Sequence, residues 1–127
     1  MLLSGGGGEP SQEKRKVGTP FYLAPELWED KECSKKTDVW SLGVILYELC
    51  THKYPYQANT MEELSGKVLK EKYAPIPMTV SKDFKEIIQK CLQKKPENRA
   101  SIDEIISLES FQAKAKLLKI KLPNELN

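Results

Sequence analysis

Few positions in this 127-residue chain hold side chains with chemistry to offer, and each reads differently once its neighbours are considered. The single histidine, His52, has no Ser, Cys or carboxylate spacing around it that suggests a triad, so it reads as a loop residue. Cys33, Cys50 and Cys91 are odd in number and far apart, and no Cys-x-x-Cys or Cys/His spacing offers a zinc site. They are expected to be reduced thiols of an intracellular protein, with Cys50 and Cys91 as small core residues in apolar helical surroundings. The run Gly5-Gly6-Gly7-Gly8 follows no strand and precedes no Lys-Ser/Thr pair, which rules it out as a phosphate loop. Lys14-Arg15-Lys16 is shorter than a basic recognition patch and reads as a solvated loop. Glu26, Asp38 and Arg99, taken one at a time, are charges with no visible partner in the sequence.

The elements that must position these residues are helical. The stretch Thr37 to Cys50 is apolar nearly all round: Val39, Trp40, Leu42, Val44, Ile45, Leu46 and Leu49 cover most of a helical circumference. That pattern predicts a central helix buried on all sides, with Thr37 or Asp38 as its N-cap. Ala24-Pro25-Glu26 starts a short helix, with proline in its first turn and acid near its positive end. A polar link, Lys31 to Lys36, joins the two. Thr60 caps a helix running to about Lys72, and Pro75 and Pro77 interrupt the chain. Ser81 caps the next helix, with Phe84, Ile87, Ile88, Cys91 and Leu92 on one face, and Pro96 ends it. Ser101 and Glu104 form a capping box ahead of Ile105. Phe111 to Lys119 predicts a final amphipathic helix. No segment alternates like a half-buried strand, so the fold class is mainly α, five or six helices with no sheet. Residues 1–16 read as a flexible lead-in, 17–111 as the folded body and 112–127 as a tail.

Composition narrows the setting. Lys and Arg number 20 against 18 Asp and Glu, a net charge of +2, and the two signs are interspersed. Charge alone therefore implies no nucleic-acid or membrane partner. Met1-Leu2-Leu3 is too short for a signal sequence, and no apolar run approaches the ~18 residues of a membrane span. The expectation is a soluble protein of the cytoplasm or nucleus, not a secreted one.

Three motifs in order carry a specific resemblance. Gly18-Thr19-Pro20-Phe21-Tyr22-Leu23-Ala24-Pro25-Glu26, then Asp38-Val39-Trp40-Ser41-Leu42-Gly43, then Pro96-Glu97-Asn98-Arg99 closely resemble the C-terminal half of a eukaryotic protein kinase, over about Val17 to Phe111. The wording around Thr19 is similar to the serine/threonine class and to its NIMA-related group. The resemblance implies the helices of the large lobe without the small-lobe sheet. It implies that Gly18, Thr19 and Pro20 belong to the substrate-recognition loop, with Thr19 hydrogen-bonding the catalytic aspartate and lysine. It pairs Glu26 with Arg99, and sets Trp40 beneath Ala24-Pro25-Glu26. Asp38 would hold the catalytic-loop backbone, and Gly43 belongs to the same motif. Ile45 and Leu49 would anchor the hydrophobic column beneath ATP, and the Thr60–Lys72 helix would dock substrates or regulators.

The departures are as informative. Within these 127 residues there is no Gly-rich nucleotide loop, no Val-Ala-Ile-Lys strand, no His-Arg-Asp loop and no Asp-Phe-Gly. Those are the parts that position ATP, hold magnesium and receive the hydroxyl proton. Arg15 stands where many relatives carry a phosphorylated residue, and Ser11 is off that register. No residue here is therefore expected to be catalytic or to bind a metal or cofactor, although ATP and Mg2+ serve the intact family. Three readings follow: a serine/threonine kinase of which this is the substrate-side part, inactive alone; a non-catalytic module that binds substrates, regulators, the remaining kinase half or another kinase chain; or a non-functional product that is degraded. With its central helix only partly enclosed, the isolated chain is expected to be marginally stable or dependent on a partner.

Overall fold

The structure, a computed structural model, describes residues 19–117; the lead-in, Ser11, Arg15, Gly18 and the positions from Leu118 onward lie outside the described residues. Its helices follow the capping chemistry closely. After a 3-10 turn over Pro20–Tyr22, α1 (Pro25–Trp28) begins on a proline, which needs no hydrogen-bond acceptor in the first turn. The long helix α2 runs Lys35–Thr51. It is followed by α3 (Met61–Lys70), α4 (Lys82–Cys91), a 3-10 turn over Pro96–Asn98, α5 (Ile102–Ser107) and α6 (Glu109–Leu117). Among the described residues there is no strand, and no helix is long and apolar enough to cross a membrane.

Caps on α3, α4 and α5 are Thr60, Ser81 and Ser101, each accepting from a backbone N–H one turn on, and Ser101 and Glu104 form the expected box. The start of α2 differs from the expectation. Its N-cap is Ser34, whose hydroxyl accepts from Lys36 N at 3.1 Å, while Thr37 Oγ1 accepts from Ser34 N at 2.9 Å. Thr37 is the return half of a capping box rather than the cap, and Asp38 lies in the first turn. The helix ends on His52, which takes a left-handed conformation (φ 61°) and bonds back to Glu48 O. The final helix starts at Glu109, two residues before the expected Phe111.

α2 is the axis of the fold and packs most extensively on α4. One core gathers Leu23, Ala24, Leu27, Trp28, Trp40, Val44, Tyr47, Tyr56, Leu64, Val68, Ile88 and Leu92; a second joins Val39, Ile87, Cys91 and Ile105. Burial of α2 is not complete, contrary to its all-round pattern. Val39, Trp40 and Val44 are buried, Ile45 and Leu46 are half-buried, and Leu49 is 66% exposed. No described element lies over Leu49, so the pattern records a cover that residues 19–117 do not provide. Cys91 is fully buried as expected, with its thiol pushed up to about 12 by burial, and Cys50 is half-buried.

Gly43 makes the α2–α4 contact possible. A Cβ there would lie 2.6 Å from Cys91 Cβ and 2.8 Å from Leu92 Cδ2, and Cys91 Cβ is fixed to its own backbone. Gly43→Ala is expected to force the helices apart at about 1–3 kcal/mol of overpacking, more than the ~1 kcal/mol that alanine returns in helix propensity. Gly66 in α3 is the control, since a Cβ there meets nothing within 4 Å. Urea unfolding should show Gly66→Ala stabilised and Gly43→Ala destabilised; an equal gain at both positions would refute the packing account.

Candidate functional site

The first turn of α1 places Glu26 against the turn that follows α4, and the buried partner there is Arg99. Nη1 donates to Glu26 Oε2 at 2.8 Å and Nη2 to Oε1 at 2.9 Å, a bidentate fork between side chains that are 0% and 4% exposed. The other three donors of Arg99 go to backbone carbonyls: Nε to Gln93 O at 2.8 Å, Nη1 to Lys36 O at 2.8 Å and Nη2 to Lys94 O at 3.1 Å. All five N–H groups of the guanidinium are thus used. Thr37 Oγ1 donates to Glu26 Oε2 at 2.8 Å, and Lys36 Nζ donates to Arg99 O at 2.6 Å and Pro96 O at 3.1 Å. Burial alone would push the Glu26 carboxyl up; hydrogen bonds from Arg99, the backbone and Thr37 overcome it and hold the carboxyl below its usual range.

Ahead of this strut, residues 19–24 are laid along α2. Tyr22 Oη donates to Glu48 Oε1 at 2.5 Å, and Ser41 Oγ donates to Tyr22 O at 3.3 Å. The bond to Glu48, and burial after it, push the Tyr22 phenol well above its ordinary value. Phe21 stacks on Tyr54 with centroids 4.3 Å apart and planes 2° from parallel, and Tyr22 meets the same ring edge-on at 5.7 Å. The segment therefore has a buried end, Leu23 to Trp28, and an exposed start, Thr19. Thr19 is extended, and its carbonyl accepts from Tyr22 N at 3.1 Å. Pro20 fixes the first position of the turn. Among the described residues no group of three or more His, Cys, Asp or Glu side chains could hold a metal ion.

Of the residues singled out from sequence, Ala24, Pro25, Glu26, Trp40 and Arg99 are brought together around this strut, while Gly43 faces Cys91 and Leu92 at the α2–α4 contact. Trp40 is 1% exposed and lies beneath the Arg99 guanidinium, 5.3 Å from ring to carbon. Thr19 and Pro20 are at its open edge. Asp38 is exposed in the first turn of α2, while Ile45 and Leu49 lie one turn apart along the helix, the second exposed. Sequence reasoning missed Thr37 and Lys36 as partners of the pair, and it missed the Tyr22–Glu48 bond. The Ser-x-x-Thr spacing of a capping box was available for Thr37; nothing local announces a bond between residues 26 apart.

A buried acid–guanidinium strut, a loop tied to a central helix and an all-helical body define the large lobe of a protein kinase. The protein kinase domain family matches residues 5–111, and the chain belongs to that family. It is 47% identical over 91 residues to a Trypanosoma brucei brucei protein described as a serine/threonine kinase, 72% of this chain and 21% of the relative. Human Nek5 is 41% identical over 90 residues (71% of this chain, 13% of the relative), and human Nek2 is 40% identical over 98 residues (77% and 22%). Both of these are serine/threonine-protein kinases by name. The chain spans about a fifth or less of the length of the first relatives it matches.

Proposed function

We propose that this chain provides the substrate-side face of an ATP-dependent serine/threonine protein kinase and transfers no phosphate by itself. The observation that carries the reading is the Thr19–Glu26 segment, anchored at one end by the buried Glu26–Arg99 pair and at the other left open to solvent. In this reading Thr19 presents its hydroxyl to a catalytic aspartate and lysine supplied from outside these residues. The segment from Pro20 to Tyr22 would hold the protein substrate beside the acceptor hydroxyl, and α3 would dock substrates or regulators. ATP and Mg2+ would be held by elements that the 127 residues do not contain, so the contribution of this chain is positioning. A cytoplasmic or nuclear setting, without nucleic-acid or membrane partners, is part of the same proposal.

The test compares the chain alone with the chain fused behind the nucleotide-binding half of a NIMA-related relative. Labelled ATP with magnesium and casein should show transfer to Ser or Thr only from the fusion. Transfer by the chain alone overturns the inactivity, and a fusion that folds and binds ATP yet labels no Ser or Thr overturns the kinase reading.

The exposed Leu49 beside half-buried Ile45 favours a second reading, a non-catalytic module that binds a regulator or another kinase chain. That reading predicts no thermal shift with magnesium-ATP in the fragment or in any longer native form. A shift in the longer form sinks it.

A further inference from the structure

The turn from Gln93 to Arg99 meets three separate parts of the fold through side-chain cations. Toward α3, Lys94 Nζ donates to Val68 O at 2.5 Å and to Tyr56 Oη at 2.9 Å, and it stands 4.7 Å from the Tyr56 ring centroid. Toward α1, Arg99 makes its fork to Glu26. From the start of α2, Lys36 Nζ donates back to Arg99 O and Pro96 O. Within the turn, Arg99 also donates to the carbonyls of Gln93 and Lys94, so the backbone that carries Lys94 is pinned to the guanidinium that holds Glu26.

Every contact of Lys94 suits an ammonium. Val68 lies in the last turn of α3, where helix carbonyls lack an intrahelical donor. Tyr56 commits its own proton to Glu71 O at 2.9 Å, so its oxygen accepts from Lys94. The Tyr56 ring face attracts a cation as well. Burial pushes Lys94 down to about 8 against the pull of Glu71, which leaves the charge in place at neutral pH. One cation thus closes the end of α3 directly through Val68 and, by way of Tyr56, through its C-cap Glu71. The Tyr56 ring also stacks on Trp40, 6.3 Å away and 11° from parallel, and Trp40 lies beneath Arg99. The end of α3 is therefore joined to Glu26 by two routes, one through the backbone of the turn and one through the two rings.

We propose that the Gln93–Arg99 turn couples the C-terminal end of α3 to the Thr19–Glu26 segment, with the Lys94 ammonium as the arm that reaches α3, so that loosening either end loosens the other. Such coupling is reciprocal: a group that steadies α3 steadies the segment, and the converse holds by the same factor. The coupling rests on packing alone. Its consequence, that an occupant of α3 is felt at the Thr19–Glu26 segment, rests in addition on the proposed function.

Hydrogen exchange of the 127-residue chain at neutral pH, with intrinsic rates removed, tests it from both sides. Lys94→Met keeps an apolar stem and removes the arm to α3. It should speed exchange at Val68 to Glu71, and also by about fivefold or more at Leu27 and Trp28, whose amides bond to Ala24 O. Lys36→Met perturbs the turn from the start of α2, and should speed exchange at Val68 to Glu71 to a similar degree. Ile105 and Leu108, whose amides are bonded within and at the end of α5, are the control and should not change. Faster exchange confined to the α3 end in Lys94→Met overturns the proposal. An equal rise at Ile105 and Leu108 overturns it too, since that is a loss of global stability rather than a link between two ends. Should Lys94→Met fail to fold, Lys36→Met decides by whether the end of α3 responds.

Discussion

Arg99→Met is expected to destabilise the chain by about 3–5 kcal/mol, a large share of the ~5–15 kcal/mol by which domains are usually stable. The substitution leaves the Glu26 carboxylate buried without its fork and strips one donor from each of the Gln93, Lys94 and Lys36 carbonyls. Adding Glu26→Leu should recover part of the loss, because the stranded charge goes; the three carbonyls remain short of a donor, so recovery stays incomplete. Chemical denaturation reads both. The pH dependence makes the claim sharper. In the parent chain the folded Glu26 carboxyl sits below its ordinary 4.5, so the unfolded chain takes up the proton first. The stability from Glu26 is then complete above about 4.5 and is lost as pH falls through the folded value. Without Arg99, burial dominates and raises the folded carboxyl above 4.5, and the sign reverses: acidification toward about 4.5 should stabilise Arg99→Met over a range where the Glu26 contribution of the parent is flat, and the parent weakens only below about 4.5. An Arg99→Met chain within about 1 kcal/mol of the parent, with the same acid response, would show that the pair is incidental to the fold.

The second large effect is expected at Trp40. Its indole is 1% exposed and lies among Leu23, Ala24, Trp28 and Val44, stacked on Tyr56 and under Arg99. Trp40→Ala should cost about 3–5 kcal/mol, a transfer loss plus the cavity left behind, and Trp40→Phe should cost less because a ring remains beneath the guanidinium. Trp40 and Arg99 share a contact, so their substitutions should not add. The Trp40→Ala, Arg99→Met double variant is expected to lose less than the two single losses summed, by about 0.5–2 kcal/mol. Strict additivity in a double-mutant cycle would refute the coupling.

Much of the helical plan is written locally. Ser81 and Ser101 open helices because a hydroxyl three residues ahead of an N–H is a short-range arrangement, and the apolar face from Phe84 to Leu92 repeats at helical spacing. The start of α2 escaped because Ser34 and Thr37 make a capping box from two hydroxyls, without the acid that usually marks one. The apolar circumference of α2 correctly pointed to the centre of the fold, yet overstated burial at Leu49, since a sequence pattern records what a face is suited to meet and not whether it is met within residues 19–117. At the site, Glu26 and Arg99 were linked only through family resemblance; no local rule joins them. The Tyr22–Glu48 bond and the seat of Lys94 are products of tertiary packing, and each depends on a side chain from another segment arriving at hydrogen-bond distance.

The separation of Glu26 and Arg99 along the chain, 73 residues, also bears on the order of events in folding. Joining them closes a loop whose entropic cost exceeds that of a single helical turn by about 2–3 kcal/mol, whereas α2 and the caps of α3 to α5 need only near neighbours. The strut is therefore expected to lock after the rate-limiting step. Its removal should leave the refolding limb of a chevron nearly unmoved and raise the unfolding rate, and slowed refolding in Arg99→Met would contradict this. The same bond that fixes the Thr19–Glu26 segment in place then serves as a clock for the whole lobe, setting how long the assembled state lasts rather than how quickly it is reached.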